Sequence, residues 1–453
     1  MSKTVNVRKG LDIRLIGEAD KVKIDAPIPS SVALKPADFH GLVPKMLVKV
    51  GDQVKIGEPV FCDKYNDLIK FVSPVCGEIL DIVRGEKRKI LEVRISVTEK
   101  SDAIQSEAKD PSSLSGEEVK KILLDNGLWP LIMQRPLDII ADPNVEPKAI
   151  FISAFDSHPL APDLDFVVHG QDQLFQNGLN ALKKLTSGKV HLSVRGNSPV
   201  DSTFSKAKNV EIHKIYGKHP AGNIGTQIHF IEPVDKGDTV YTITPQNVIA
   251  IGKFFAEGVF DAYRIVALTG SEAKNRKYYR TLLGSNISGI VENNVVSENV
   301  RYISGNALTG HKIEAQGYLG YYDSQITILP EGDQYKFFLS KGWLGPGFDK
   351  FSSHLLFPTW LFRKKKYRLD TNMNGEERGF VVTGEMDAVM PLDILPLQLI
   401  KAIMTKDIDA MEALGIYEVA PEDFALCEYV CTSKIDIQDK IREGLDLIKS
   451  ECM

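Results

Sequence analysis

Residues 34–97 admit few folds. Positions 40–83 read HGLVPKMLVKVGDQVKIGEPVFCDKYNDLIKFVSPVCGEILDIV, a series of short apolar runs at alternate positions broken by Gly or Pro every few residues. A helix needs apolar residues at three- and four-residue spacing and an uninterrupted backbone, so this stretch predicts strands joined by tight turns. Val48, Val50 and Val54 flank a turn at Gly51-Asp52, and Ile56-Gly57-Glu58-Pro59 sets a second.

The spacing GD-x-V-x-x-G-x-x-V from Gly51 to Val60 resembles the barrel-sandwich hybrid of lipoyl and biotinyl carrier domains. In a carrier, Lys64 would be the modified lysine. It lies ten residues before Pro74, a longer hairpin than carriers use, and no Met-Lys-Met motif is present. A structural barrel with Lys64 in solvent is the favoured reading.

The pattern then changes. Residues 101–120 are a polar linker running into a helix, with Ser115 as N-cap and Glu117 and Glu118 in the first turn, where carboxylates complement the helix dipole. Helix VKKILLDNGLWPL, strand AIFISAF at Ala149 to Phe155, helix DQLFQNGLNALKKL and strand VHLSV at Val190 to Val194 follow. Strands alternating with helices predict a parallel, Rossmann-like sheet covered on both faces. Ligands bind beyond the carboxyl ends of such strands, which favours Phe155-Asp156-Ser157-His158-Pro159. No G-x-G-x-x-G or Walker A loop accompanies the sheet, and GKHPAGNIG at Gly217 to Gly225 reads as a surface loop.

From Tyr263 to Ile313 a strand, a helix and a strand fit a small β-grasp, ubiquitin-like module. Between Lys341 and Arg368, Trp343, Phe357 and Trp360 stand beside Arg363, Lys364, Lys365 and Lys366. Aromatics next to a basic run suit an anionic membrane surface or a membrane partner. The competing reading is an irregular segment packed along the domains, since Gly345, Pro346, Gly347 and Pro358 forbid one continuous helix. The tail is helical: Leu395 to Leu414 keeps helical periodicity up to Gly415, and Ile437 to Ile448 forms a last amphipathic helix.

With 453 residues the chain has room for three or four domains. Its net charge of -5 gives no basic footprint for nucleic acid. Five scattered cysteines fit a reducing compartment, no signal peptide is evident, and the apolar stretch Asn247 to Thr269 is broken by Lys253, Glu257, Asp261 and Arg264. The expected division is a barrel-sandwich at 34–100, an α/β domain from 1–33 and 101–255, a β-grasp module at 256–335, the aromatic and basic connection at 336–377, and a helical domain at 378–453.

That last domain has the frame of a two-cluster ferredoxin module, in which each run C-x2-C-x2-C-x3-C is followed by Pro. Here the second run holds only Cys427 and Cys431, with Phe424 and Pro421 at the other positions and Thr432 after it. The first run would be Phe380, Thr383, Met386 and Met390, followed by Pro391. Two thiols cannot hold a cubane.

Barrel, α/β domain, β-grasp (SLBB-type) module and cluster-type helices, in this order, resemble the C subunit of the Rnf complex and, more distantly, the flavin-bearing subunit of complex I. The detail of LSGEEVKKILLDNGLWPLIMQRP, AIFISAFDSHPLAPD, HPAGNIGTQIHFIEPV, KGWLGPGFDKFS and FALCEYVC is similar to the A-subunit family of the Na+-translocating NADH:quinone oxidoreductases. The resemblance implies a peripheral subunit on the cytoplasmic side of the bacterial inner membrane. It would partner the other subunits, above all the membrane-embedded B-subunit, and take part in quinone reduction coupled to Na+ export without being catalytic alone. Flavin-bearing relatives use a glycine-rich loop for close approach to the flavin; here Gly127 to Pro136 is bulky, which implies no FMN, as the lost thiolates imply no Fe–S cluster. Quinone binding is the expected role, with Trp129, Met133, Phe155 and His158 as candidate lining and Arg135 and Asp156 as polar neighbours. The competing reading of these aromatics is core packing, and that of the whole chain is an assembly protein docking the B-subunit.

Overall fold

The computed structural model describes residues 2–98, 102–334, 336–337, 339, 344–352 and 357–452. The Gly- and Pro-punctuated stretch forms two facing sheets, one of strands Ser31–Leu34, Ile90–Ser96, Gly77–Arg84 and Gln53–Val54, the other of Pro44–Met46, Pro59–Asp63 and Lys70–Val72. Residues from the two sheets fill the space between them: Val32, Val60, Phe61, Phe71, Ile79, Val93 and Ile95 are at most 1% exposed. The Phe61 and Phe71 rings stack at 4.6 Å. The first turn forms as the sequence requires, with Gly51 at φ +91° and the Asp52 carboxylate accepting from the Lys49 N–H. Lys64 stands exposed in the hairpin after Asp63.

A third sheet has seven strands in the order Thr4–Asn6, Glu211–Tyr216, Lys189–Arg195, Ala149–Ser153, Val240–Thr242, Met133–Arg135, Ile139–Ile140. The first five are parallel, and the last two join antiparallel. Side chains alternate along each strand. Ile150, Ile152, Leu192 and Val194 face the large core under helices Asp172–Lys183 and Pro245–Glu257, and Ala149 and Phe151 face a separate cluster under helix Ile224–Ile231. A sheet covered on both faces explains why its strands read as apolar runs. Helix Gly116–Asp125 carries the expected cap: the Ser115 hydroxyl accepts from the Glu118 N–H and the Glu118 carboxylate from the Ser115 N–H.

A fourth sheet has six strands in the order His311–Ile313, Val300–Ser304, Gln325–Pro330, Tyr263–Thr269, Tyr278–Leu282, Lys23–Asp25, with the central pair parallel. Lys23–Asp25 overturns part of the expected division. Residues 1–33 do not belong wholly to the α/β domain: Thr4–Asn6 extends its sheet, Lys23–Asp25 pairs with Tyr278–Leu282, and Ser31–Leu34 enters the barrel. An open strand edge in each sheet offers unpaired N–H and C=O groups to the same passing segment.

The tail packs around a core of its own, built by helices Glu385–Val389, Pro396–Thr405, Ile408–Ala413, Ala425–Val430 and Ile437–Cys452. Where one helix was expected up to Gly415 there are two. Lys406 takes φ +57° and Asp407 caps the second helix by accepting from the Ala410 N–H, so the apolar period survives while the backbone turns.

Candidate ligand-binding site

Counted by first appearance, strands Ala149–Ser153, Lys189–Arg195, Glu211–Tyr216 and Val240–Thr242 lie in the order three, two, one, four. The order in which strands are added therefore reverses between the first and the fourth, which opens a crevice beyond their carboxyl ends. A cavity of about 230 Å³ occupies that place. Its apolar wall includes Leu131, Met133, Phe155, Leu164, Ile243 and Tyr321, and its polar lining includes Asp156, His158, Asn223, Arg264 and Glu422.

Asp156 and His158 form a local pair just past the first strand. The carboxylate accepts from the His158 N–H at 2.8 Å and faces its Nδ1 at 2.6 Å. Burial alone would raise the Asp156 carboxyl, but the His158 ring and its hydrogen bonds bring it down to about 2. Burial likewise opposes charge on His158, yet Asp156 holds it above the ordinary histidine value. With Nδ1 committed to Asp156, Nε2 is left buried without a partner among the described residues. The His219 ring sits 4.6 Å away and is pushed down to about 3 by burial and by His158.

Three carboxyl groups surround Arg135, whose side chain is 4% exposed: Asp138 at 3.3 Å, Glu422 at 2.7 Å and Asp423 at 3.1 Å. Burial holds Glu422 and Asp423 above the ordinary carboxylate range against the pull of the guanidinium. Glu422 also lines the cavity. Arg264, on strand Tyr263–Thr269, is 8% exposed. Its Nη1 donates to the carbonyls of Asp261 and Tyr263, its Nη2 has no partner, and no carboxylate pairs with it among the described residues.

The segment Gly217 to Gly225 is not the surface loop expected. Gly222 and Asn223 are buried and line the cavity. A Cβ at Gly222 would stand 2.6 Å from the Ser157 nitrogen, so the close approach to the Asp156 loop requires glycine. Asn223 donates to the Glu422 carbonyl and leaves its Oδ1 unpartnered.

Comparison with known proteins bears on this arrangement. Three family profiles match in succession: the NqrA N-terminal barrel-sandwich hybrid domain over residues 5–98, the NqrA second alpha/beta domain over 114–260, and the NQRA C-terminal domain, an SLBB profile, over 265–315. The A-subunit of the Na(+)-translocating NADH-quinone reductase of Neisseria meningitidis serogroup A is 39% identical over 451 residues, covering 99% of this chain and 100% of the relative. The chain belongs to the NqrA family. The proteins of the same name from Photorhabdus laumondii and Vibrio alginolyticus are 37% and 36% identical, each over 450 residues, 99% of this chain and 100% of the relative.

Within this NqrA-family chain the structure gathers some of the expected residues and separates others. Met133, Phe155, Asp156 and His158 meet at the cavity. Trp129 does not: it is 1% exposed in the main core, with its indole N–H donating to the Ala141 carbonyl at 2.7 Å and its ring edge-on to Tyr241. A large aromatic whose polar atom is already satisfied is core. Arg135 stands behind the cavity and reaches it through Glu422. Arg264, Asn223 and Glu422 were missed. A charged residue within an apolar strand run, Arg264 in YRIVALT, was the available signal for the first.

At the eight cluster-ligand positions, Met386, Met390, Phe424, Cys427 and Cys431 are buried in the helical core and Phe380 packs against it. The Cys427 thiol, pushed up by burial, points to the Met386 carbonyl at 3.9 Å. In the aromatic and basic segment, Trp343 lies outside the described residues. Phe357 is partly buried, and Trp360, Leu361 and Phe362 are exposed. The Lys366 ammonium pairs with Glu18 and that of Lys365 donates to the Phe348 carbonyl, so these two hold the segment in place. Arg363 and Lys364 are exposed and have no ion pair among the described residues.

Proposed function

We propose that this chain is the peripheral A-subunit of a Na+-translocating NADH:quinone reductase, taking part in quinone reduction coupled to Na+ export by contributing to quinone binding. One observation carries the quinone reading: a cavity at the reversal of the sheet combines apolar walls with buried polar atoms that have no partner. Quinone rings need an apolar wall and hydrogen-bond donors for their carbonyls, and pockets of this composition supply both. The candidates kept are Met133, Phe155, Asp156 and His158, with Arg135 acting through Glu422. The core packing of Leu128 to Ile132, and of the five positions from Met386 to Cys431, supports a Rossmann-like domain and a ferredoxin-type frame that carry neither FMN nor Fe–S cluster. Photolabelling of the full chain with an azidoquinone should mark cavity-lining residues, with label lost on adding excess unlabelled quinone. Label that spares the cavity or resists displacement sinks the reading.

A docking role favours the same assignment, with, as partners, the cytoplasmic face of the bacterial inner membrane and the B-subunit. Among the described residues no helix is long and apolar enough to cross a membrane. Exposed Trp360 and Leu361 beside Arg363 and Lys364, which have no ion pair among the described residues, present an apolar and basic surface. Each basic group near an anionic surface contributes about 1 kcal/mol. Replacing Arg363 and Lys364 by Ser is therefore expected to weaken retention on membranes roughly 30-fold at unchanged thermal stability. Undiminished retention in a flotation assay overturns the dock.

A further inference from the structure

Arg264 is a buried guanidinium in a cavity wall with one nitrogen unpartnered and no counter-ion among the described residues. Burying a charge or a polar N–H without a partner is costly, and a folded protein tolerates it where a ligand supplies what is missing. His158, which lines the same cavity, also has a buried nitrogen without a partner among the described residues. Its Nδ1 is taken by the Asp156 carboxylate at 2.6 Å, a contact that favours the protonated ring against burial, and its Nε2 is unpartnered. Two residues of the cavity lining, from strand Tyr263–Thr269 and from the loop after Ala149–Ser153, thus each carry an unpartnered nitrogen, with Phe155, Leu164 and Tyr321 in the same wall.

The remaining lining narrows the ligand. Asp156 keeps its charge in the same space, so an anionic ligand would meet like charge there. A neutral group bearing acceptor oxygens avoids that repulsion. At about 230 Å³ the cavity is below the roughly 300–1,000 Å³ of pockets that enclose drug-sized molecules, which suits one ring and not a ring with its chain.

We propose that Arg264 Nη2 and His158 Nε2 are the donors to the two carbonyl oxygens of a quinone headgroup seated in this cavity. The assignment rests on the quinone reading above and adds to it the residues that recognise the oxygens. It makes Arg264 a specificity-determining residue: a ring of the same shape without oxygens leaves its N–H unpaired and is rejected.

The test is titration of the full chain with a short-chain 1,4-benzoquinone and with the matched ring in which hydrogen replaces both oxygens. Wild type is expected to prefer the dione, and Arg264→Met to lose roughly 10- to 100-fold of that preference, as removal of a hydrogen bond to a charged group would. Arg264→Lys, which keeps a charged donor, should restore part of it. Infrared spectra of the carbonyl-labelled quinone on wild type give a readout independent of any variant's folding: both carbonyl bands should move to lower frequency. Failure of wild type to bind the quinone saturably overturns this assignment together with the quinone reading. Saturable binding with unshifted carbonyl bands, or with the same dione preference in Arg264→Met, overturns this assignment alone.

Discussion

Replacing Arg135 by Met is expected to loosen the carboxy-terminal helices from the α/β domain. Arg135 ends strand Met133–Arg135 of the sheet, whereas Glu422 and Asp423 belong to the turn Pro421–Phe424 of the helical tail, so this guanidinium is a tie between the two. Asp423 is fully buried, with its remaining contact an N–H from Ala420. Removing one partner of such a set strands the others, at a cost of about 3–5 kcal/mol, whereas neutralising the whole set costs far less. Arg135→Met combined with Glu422→Gln and Asp423→Asn should therefore recover much of the loss. The effect should depend on pH. Both carboxyls already sit above their ordinary range and would rise further without the guanidinium. A carboxyl whose folded value exceeds its unfolded value stabilises the fold when protonated, and that contribution is lost as pH rises through the folded value. The deficit of Arg135→Met should accordingly be small at pH 5 and grow toward pH 8. Hydrogen exchange of the amides in Ile437–Cys452 and protease release of the tail measure it, and a deficit independent of pH would show that stranded carboxylates are not its cause.

How far the sequence could be read depended on whether a residue's role was local. The Gly51-Asp52 turn, the Ser115 and Glu118 cap and the Gly415 stop are decided within four residues, and each forms as expected. The apolar strands announce a doubly covered sheet because both faces must be dry. Lys23–Asp25 has no such signature: its three residues are exposed and its place is set by an edge strand more than 250 positions away. Lys406 breaks a helix with a residue type that gives no warning. The site suffered in the same way. Size made Trp129 attractive, but only the structure shows its indole already bonded. Glu422 and Asn223 reach the cavity from segments that have no apolar pattern to place them.

Gly252→Ala is expected to destabilise the α/β domain in spite of helix propensity. Gly252 lies within helix Pro245–Glu257, where Ala would be favoured by about 0.5–1 kcal/mol on backbone grounds alone. A Cβ there would stand 1.8 Å from the Leu174 carbonyl oxygen of the facing helix, and one at Gly178 would stand 2.1 Å from the Val248 carbonyl oxygen. The two helices touch through reciprocal glycines, and the obstructing atoms are backbone, which cannot swing aside as a side-chain tip does. Overpacking of this kind typically costs about 1–3 kcal/mol, enough to exceed the propensity gain. The helix can relieve the clash only by moving off Asp172–Lys183, and its first turn supplies Pro245, Gln246 and Asn247 to the cavity. Stability and ligand affinity should therefore fall together. Urea unfolding of Gly252→Ala should show a lower midpoint, and titration with the short-chain quinone weaker binding, whereas Gly379→Ala, where a Cβ meets nothing within 4 Å, should leave both unchanged. A variant at Gly252 as stable as the parent would mean that the helix contact is looser than the carbonyl spacing implies, and a stable variant with weakened binding would place the effect in the cavity-lining turn alone.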